Sequence, residues 1–502
     1  NLLSTLAQAR NFSRPVHKIG PVRRMVTPWP MWRADCRSAS DREVGTQPLA
    51  SYCNDAPQSR GVELNLVWQL TSMTLGAGVF TIPMVYNALG YVHASLWVVA
   101  MGIFADIAME RLLDISVQHS KVCYNALSEL AFGAAGKTMM SAITLVTTFI
   151  AGLSYICTAK ELLLDVTVAF LLDVDPNAHG ELEILSKGKT IVLLTIMVCA
   201  ALPLTLSPTM GDNAWISKFG VCAMIISSIF FIVRCAMIWA QGCTGEMGCG
   251  EKPPAFKGSV GDVMMYAATL AFSFSIVFAL FPVLQERVAA EGSVEAAVPT
   301  VRRAVRRSVA VCCVLYLLIG LVGSFAFGSA VNSIALCSLP LKEPLTQLVM
   351  LLVGVSVWML TAIVAFPAVS SAEYLVKMCM GSSYRPGIRM WLVIVIGAAM
   401  VLVDAFVPTK IAFTLCGALG LSMGAYVMPC VLFLRLNSSG RTAKLVRVAT
   451  LVVLVFGLTL LFGSTPVTVV NALGEKGGAA ARRLMDLLCG HLSTDPTLSF
   501  EL

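Results

Sequence analysis

Leu75-Gly76-Ala77-Gly78-Val79-Phe80-Thr81-Ile82-Pro83 sits inside an apolar block that runs over residues 64–86. That block is long enough to cross a hydrocarbon layer about 30 Å thick. Two glycines and a proline within eight residues weaken a helix at this depth, because glycine adds backbone freedom and proline removes a donor. Broken backbone survives in a bilayer only where it is packed in protein or lines a cavity. Two readings follow. Unwound carbonyls can hold a cation, and the freed amides of the second half-helix can hold a carboxylate. Alternatively, the small residues mark a close helix–helix contact of the GxxxG kind.

Working outward, similar apolar blocks recur near 92–116, 138–163, 189–207, 215–239, 262–284, 309–330, 346–376, 388–407, 411–434 and 446–470. With only 13% charged residues against 57% hydrophobic, and a mean hydropathy of +0.78, the chain cannot cover a water-facing surface of its size. The composition therefore specifies an all-α polytopic membrane protein with about eleven spans. The formal net charge of +7 does not point to nucleic acid, because the basic residues lie between apolar blocks. Most of the sixteen cysteines fall inside those blocks, where cysteine packs as a small hydrophobe. Of the remainder, Cys243, Cys249 and Cys337 share the outer loops and leave a disulfide open.

Residues 1–62 form a basic stretch expected to be a disordered cytoplasmic tail, 63–470 the transmembrane domain, and 471–502 an extracytoplasmic tail. Every second loop is basic, from the tail through Lys121, Lys137, Lys218 and Arg302–Arg307 to Arg441 and Lys444. The positive-inside rule then places the N-terminus in the cytoplasm. The membrane itself, plasma membrane or that of an acidic organelle, stays open. A monomer is expected.

The sixth block repeats the pattern of the first. Phe272-Ser273-Phe274-Ser275 is followed by Pro282, seven residues after Ser275, as Pro83 follows Gly76 by seven. Matching interruptions in two halves point to an inverted repeat with a site at the midplane. Further runs extend the comparison: Tyr124–Gly133, Phe281-Pro282-Val283-Leu284-Gln285-Glu286, Leu360–Pro367, and Gly417-Ala418-Leu419-Gly420 followed by Met428-Pro429. Together with Leu75–Pro83, and in this order over about residues 64–470, they resemble the amino acid/auxin permease family.

That resemblance implies a LeuT-type fold, two inverted five-helix repeats plus one extra span, and secondary active transport of amino acids. On this resemblance Gly76, Ala77 and Gly78, with Thr71 and Ser72 one turn earlier, would cradle the substrate's carboxylate and amine. Phe272, Ser273, Phe274 and Ser275 would line the pocket from span six. Ser72 and Thr361 would serve the coupling ion. Ser72 departs from the family pattern, in which asparagine is common at that position, and this favours protons over sodium. No cofactor or metal is implied.

Charged residues inside the spans offer other candidates. Asp106 and Glu110 share a helix face beside Arg111; an intramembrane carboxylate can relay protons, and a pair near the interface can equally form an ion cluster with Arg111. Arg302, Arg303, Arg306 and Arg307 share a face that suits anionic lipid. An enzyme is not expected: the five histidines lie in loops, tails or span edges, and no Ser/His/Asp set shares a depth. The rival function is a transporter-like sensor that binds amino acids and signals through its basic N-terminal tail. The carried amino acid is not fixed, although the lack of an acid at pocket depth favours a neutral one.

Overall fold

The computed structural model describes residues 59–76, 78–172, 197, 214–241, 250–341, 343–381, 387–404, 407–437 and 444–476. Helix is the only regular structure among them. Eight helices are long and apolar enough to cross a membrane among these residues. The first span is a broken helix and the Ile388–Asp404 span is 17 residues long. The expected span at 189–207 lies almost wholly outside the described residues, as do the N-terminal stretch to residue 58 and the C-terminal stretch from 477.

In chain order the helices are α1 (Ser59–Thr74), α2 (Ile82–Leu89), α3 (Tyr91–His119), α4 (Tyr124–Leu172), α5 (Ala214–Ala240), α6 (Val260–Ser273), α7 (Val277–Glu291) and α8 (Val294–Phe327). Then come α9 (Pro344–Met380), α10 (Ile388–Asp404), α11 (Thr409–Leu415), α12 (Met428–Leu436), α13 (Lys444–Thr459) and α14 (Thr465–Lys476). α1 begins at Ser59, four residues ahead of the expected start of the transmembrane domain at 63, as a helix entering a bilayer keeps its backbone bonded through the polar interface. The third span also outruns its expected end at 163 and reaches Leu172.

Local chemistry sets the helix ends. Ser259 and Asp262 form a reciprocal capping box at the start of α6, and Ser293 caps α8 through the Ala296 amide. Inside α4, Gly133 has φ +67°, so a short first segment joins the long span through an elbow that favours glycine.

α1 starts on one face of the membrane, here the near face, and successive crossings then alternate. α3 packs on α8, α4 on α9, and α2 on α6. Elements at equivalent places in the two halves thus lie against each other, as an internal two-fold demands. Small residues permit the closest approach: a Cβ on Gly320 would lie 2.3 Å from the Tyr86 ring, and one on Gly323 would lie 2.7 Å from Pro83. Leu96, Ile103, Ile226, Val233, Val314, Leu451, Val455 and Phe462 are exposed, which only a lipid environment stabilises.

Between α11 and α12 the helix widens into i→i+5 turns over Cys416–Val427. The widening leaves backbone carbonyls within reach of α4. Thr147 Oγ1 shares its proton between Ile143 O of its own helix at 2.7 Å and Gly420 O at 3.1 Å, and the Tyr124 hydroxyl donates to Gly424 O at 2.7 Å.

Candidate functional site

The helix of the first span stops at Thr74, and a single 3₁₀ turn over Val79–Thr81 leads into α2. Across the gap the backbone keeps Leu75 N–H to Thr71 O at 2.7 Å and Val79 N–H to Gly76 O at 3.4 Å. Among the described residues the Gly76 and Gly78 amides find no backbone acceptor. Buried amides of this kind hold anions. The second break is its counterpart. α6 ends at Ser273, Phe274 has φ −104° and ψ 37°, and Ile276 N–H reaches back to Phe274 O at 2.8 Å before α7 begins.

The two breaks meet. A Cβ added to Gly78 would lie 2.7 Å from Ser273 Oγ and 3.3 Å from Phe272. Ser273 Oγ donates to Thr269 O at 3.3 Å and approaches Gly78 O at 3.5 Å. One residue ties both ends together: the Tyr316 hydroxyl, from α8, lies 2.6 Å from Thr74 O and 2.8 Å from Ser273 O. Those carbonyls end their helices, so a single buried hydroxyl serves two acceptors that helix geometry leaves without partners.

Tyr155 of α4 closes the third side. A Cβ on Gly76 would fall 1.7 Å from its hydroxyl oxygen, so only glycine lets this phenol approach the unwound backbone. Tyr155 packs edge-on against Phe272, which packs in turn on Phe413 of α11 at 5.3 Å between ring centres. These three aromatics cover the far side of the breaks. On the near side lies a small cavity, lined by Thr148, Ala151 and Tyr155 from α4 and by Ser275 and Phe278 from the second break and α7. Val364 and Pro367 of α9 and Leu421 of the wide-turn segment complete the lining. No charged side chain lines it.

The residues expected from sequence are distributed as follows. Gly76, Gly78, Phe272, Ser273 and Ser275 converge on this place. Ala77 lies outside the described residues. Phe274 turns away and packs edge-on against the Tyr316 ring at 5.2 Å. Thr71 is buried one turn earlier, its hydroxyl 2.9 Å from Ser308 of α8, so it joins helices rather than facing the cavity. Ser72 Oγ donates to Gln69 O at 2.7 Å, and Thr361 Oγ1 donates to Val357 O at 3.1 Å. Both expected ion ligands are thus engaged with their own helices.

Asp106 stands apart from the site, beside an ion cluster on the near face. Glu110 is ion-paired with Arg302 at 2.9 Å and Arg306 at 2.6 Å, and Asp114 accepts from Arg302 at 2.7 Å and Arg111 at 3.0 Å. Arg302 and Arg306 therefore clamp α8 to α3 instead of serving lipid alone. Cys337 is buried with its thiol beside Asp165, and burial pushes that thiol well above its ordinary range. Cys243 and Cys249 lie outside the described residues.

Residues 63–470 match the family described as transmembrane amino acid transporter protein. The chain belongs to that family. A manganese transporter from Eremococcus coleocola, solved with an aromatic bis-isothiourea substituted compound, aligns with this transporter at a TM-score of 0.51 and 11% identity, covering 87% of this chain and 93% of that one. A nucleobase-cation-symport-1 family transporter in a closed conformation, with bromovinylhydantoin bound, aligns at 0.49 and 13%, covering 84% and 96%. A Na+-coupled sialic acid symporter in a substrate-bound outward-open state aligns at 0.46 and 11%, covering 80% and 89%. At such identity likeness speaks to fold alone. The transporter has the LeuT-type fold, and the paired breaks occupy the centre of its two inverted repeats. It is a multi-pass membrane protein of a transporter family.

Proposed function

We propose that this protein is a secondary active transporter that moves neutral amino acids across its membrane by alternating access, with protons as the coupling ion. The observation that carries this reading is the meeting of the two broken helices beside an uncharged cavity. The Gly76 and Gly78 amides suit the substrate carboxylate, and the carbonyl ends of α1 and α6 suit its ammonium group. The cavity wall of Ala151, Phe278, Val364, Pro367 and Leu421 suits an apolar or small polar side chain. A cationic side chain would meet no counter-charge there, and burying it unpaired is costly. Protons are preferred over sodium because serine stands at position 72, where the family commonly carries asparagine.

With the near face cytoplasmic, as the basic loops imply, the aromatic cover of Tyr155, Phe272 and Phe413 closes the outer side while the cavity lies on the inner side. This arrangement corresponds to an inward-directed state of the cycle.

The test is uptake of labelled amino acids by proteoliposomes containing the purified protein, under an imposed proton or sodium gradient, with Gly78→Leu in parallel. Concentrative uptake of neutral amino acids, lost in the variant, is the expected result. Thermal stabilisation by amino acids without flux would replace transport by the sensor reading. Absence of both flux and binding would overturn the substrate class.

A further inference from the structure

Three carboxylates and one ammonium cluster on the far side of the aromatic cover, where the span-nine helix turns into span ten. Asp404 is the last residue of α10, its side chain fully enclosed, and one of its oxygens accepts from Lys160 Nζ at 2.9 Å. Among the described residues its other oxygen, Oδ1, is buried without a hydrogen-bond partner, although the Cys157 thiol lies against the same carboxylate. Glu161, next to Lys160 on α4, accepts from Thr409, the first residue of α11. Asp165 follows one turn later, beside Cys337. Two consecutive residues of α4 thus grip both ends of the α10–α11 turn.

The charge in this place does not balance. With every carboxyl ionised, Lys160 offsets only one of the three negative charges, and burial of the others carries a large desolvation cost. Among the described residues, neighbouring elements supply no relief. Lys410 places its ammonium over the Tyr266 ring of α6, 5.4 Å from its centre. At the far end of α9, Glu343 is paired with Arg234 of α5, and at its near end Glu373 is paired with Lys377 and Arg389. Tyr374 and Cys379 also lie at that near end. The wide-turn segment presents only the Cys416 thiol and the Tyr426 phenol, both buried. Two negative charges are therefore left without a counter-cation among the described residues. A metal ion would need a shell of several oxygens, whereas the structure offers a single orphaned carboxylate oxygen beside an ammonium. A proton fits that vacancy.

We propose that Asp404 and Glu161, bridged by Lys160, form the site that binds the coupling proton, an inference that rests on the transport reading above. Its position explains how the proton is felt at the substrate. Thr409 lies one turn from Phe413, which packs on Phe272 at the second break. Neutralising Asp404 removes its ion pair with Lys160 and loosens the turn that carries this cover. Lys160 is 16% exposed and so is not sealed off with Asp404. Intramembrane carboxylates in such settings act as proton carriers.

The experiment compares wild type, Asp404→Asn, Glu161→Gln and Asp404→Glu in proteoliposomes with an entrapped pH dye. The probe is the amino acid that gives the largest wild-type flux. In Asp404→Asn and Glu161→Gln, substrate-evoked proton influx and proton-driven accumulation should fall about tenfold or more, within the usual range of coupling energies, while exchange at symmetric pH persists. Asp404→Glu, which keeps the carboxyl, should restore influx. Proton influx and pH dependence of KM unchanged in both neutral variants would overturn the proposal. So would a uniform loss of flux and stability with the wild-type pH profile, the mark of a merely structural ion pair. Wild-type accumulation driven by sodium without proton movement would overturn it while leaving transport intact. Wild type carrying no amino acid would sink the transport reading first, and this site with it.

Discussion

Replacing Tyr316 by phenylalanine removes one oxygen and leaves the ring in place. That oxygen bridges Thr74 O at 2.6 Å and Ser273 O at 2.8 Å, at the ends of the two helices whose breaks form the site. Tyr316 is 0% exposed, so water does not replace the lost donor without opening the core. A net hydrogen bond contributes about 0.5–1.5 kcal/mol, and a buried acceptor left unsatisfied costs about 1–3 kcal/mol. Because one proton is shared by two acceptors, the total is about 2–3 kcal/mol rather than twice that, equivalent to roughly 30–150-fold in an equilibrium. In detergent the thermal midpoint should fall by about 2–5 °C, a small shift for so large a domain. Initial uptake should drop by about tenfold with KM raised, because the Gly76–Gly78 backbone loses its register against the second break. Tyr374→Phe, at the near end of α9, should stay within about 0.5 kcal/mol of wild type. Wild-type midpoint and KM in Tyr316→Phe would refute the idea that this hydroxyl holds the two breaks together.

Gly76→Ala forces a methyl to within 1.7 Å of the Tyr155 hydroxyl, so uptake should fall by about tenfold or more, as overpacking by about 1–3 kcal/mol predicts. Tyr155→Ala in the same chain should recover the thermal midpoint. Gly417→Ala meets the Ala268 carbonyl oxygen at 1.7 Å, a backbone atom that cannot swing aside, so it should abolish folded protein in size-exclusion chromatography. Arg302→Met takes the shared cation from Glu110 and Asp114. It should lower stability by about 1 kcal/mol, the modest scale of partly exposed pairs, and the loss should shrink in high salt. A midpoint indifferent to salt would mean the clamp is not electrostatic.

The broken first span was legible because Gly76, Gly78 and Pro83 each act locally on the backbone, and local effects are written in local sequence. The second break was legible for a weaker reason, the matching distance to Pro282. Its residues were only half readable: Phe272 and Ser275 face the site, yet Phe274 turns toward Tyr316, and nothing in its own segment records that. Tyr155, Tyr316 and Phe413 were missed because their role depends on contacts far away in sequence. A signal existed, since a phenol in mid-span must find a buried partner, but its identity is tertiary information. Asp404 and Lys160 escaped notice for a related reason: each sits near the end of its apolar block, where a charge ordinarily reaches water. Thr71 and Ser72 show the converse, side chains at the right spacing whose hydroxyls were claimed by Ser308 and by the helix's own backbone.

The widened turns of Cys416–Val427 have a consequence for how the protein tolerates change. That segment is fastened to α4 through its carbonyls, at Gly420 and Gly424, by hydroxyls that belong to Thr147 and Tyr124. Its attachment is thus encoded on the neighbouring helix. Leu419 and Met423, its two half-buried side chains, can drift without loosening the joint, whereas loss of either hydroxyl on α4 would undo it from the other side. A single-residue deletion there would restore ordinary helical turns, withdraw both carbonyls and rotate everything downstream, including Phe433 beneath Arg111.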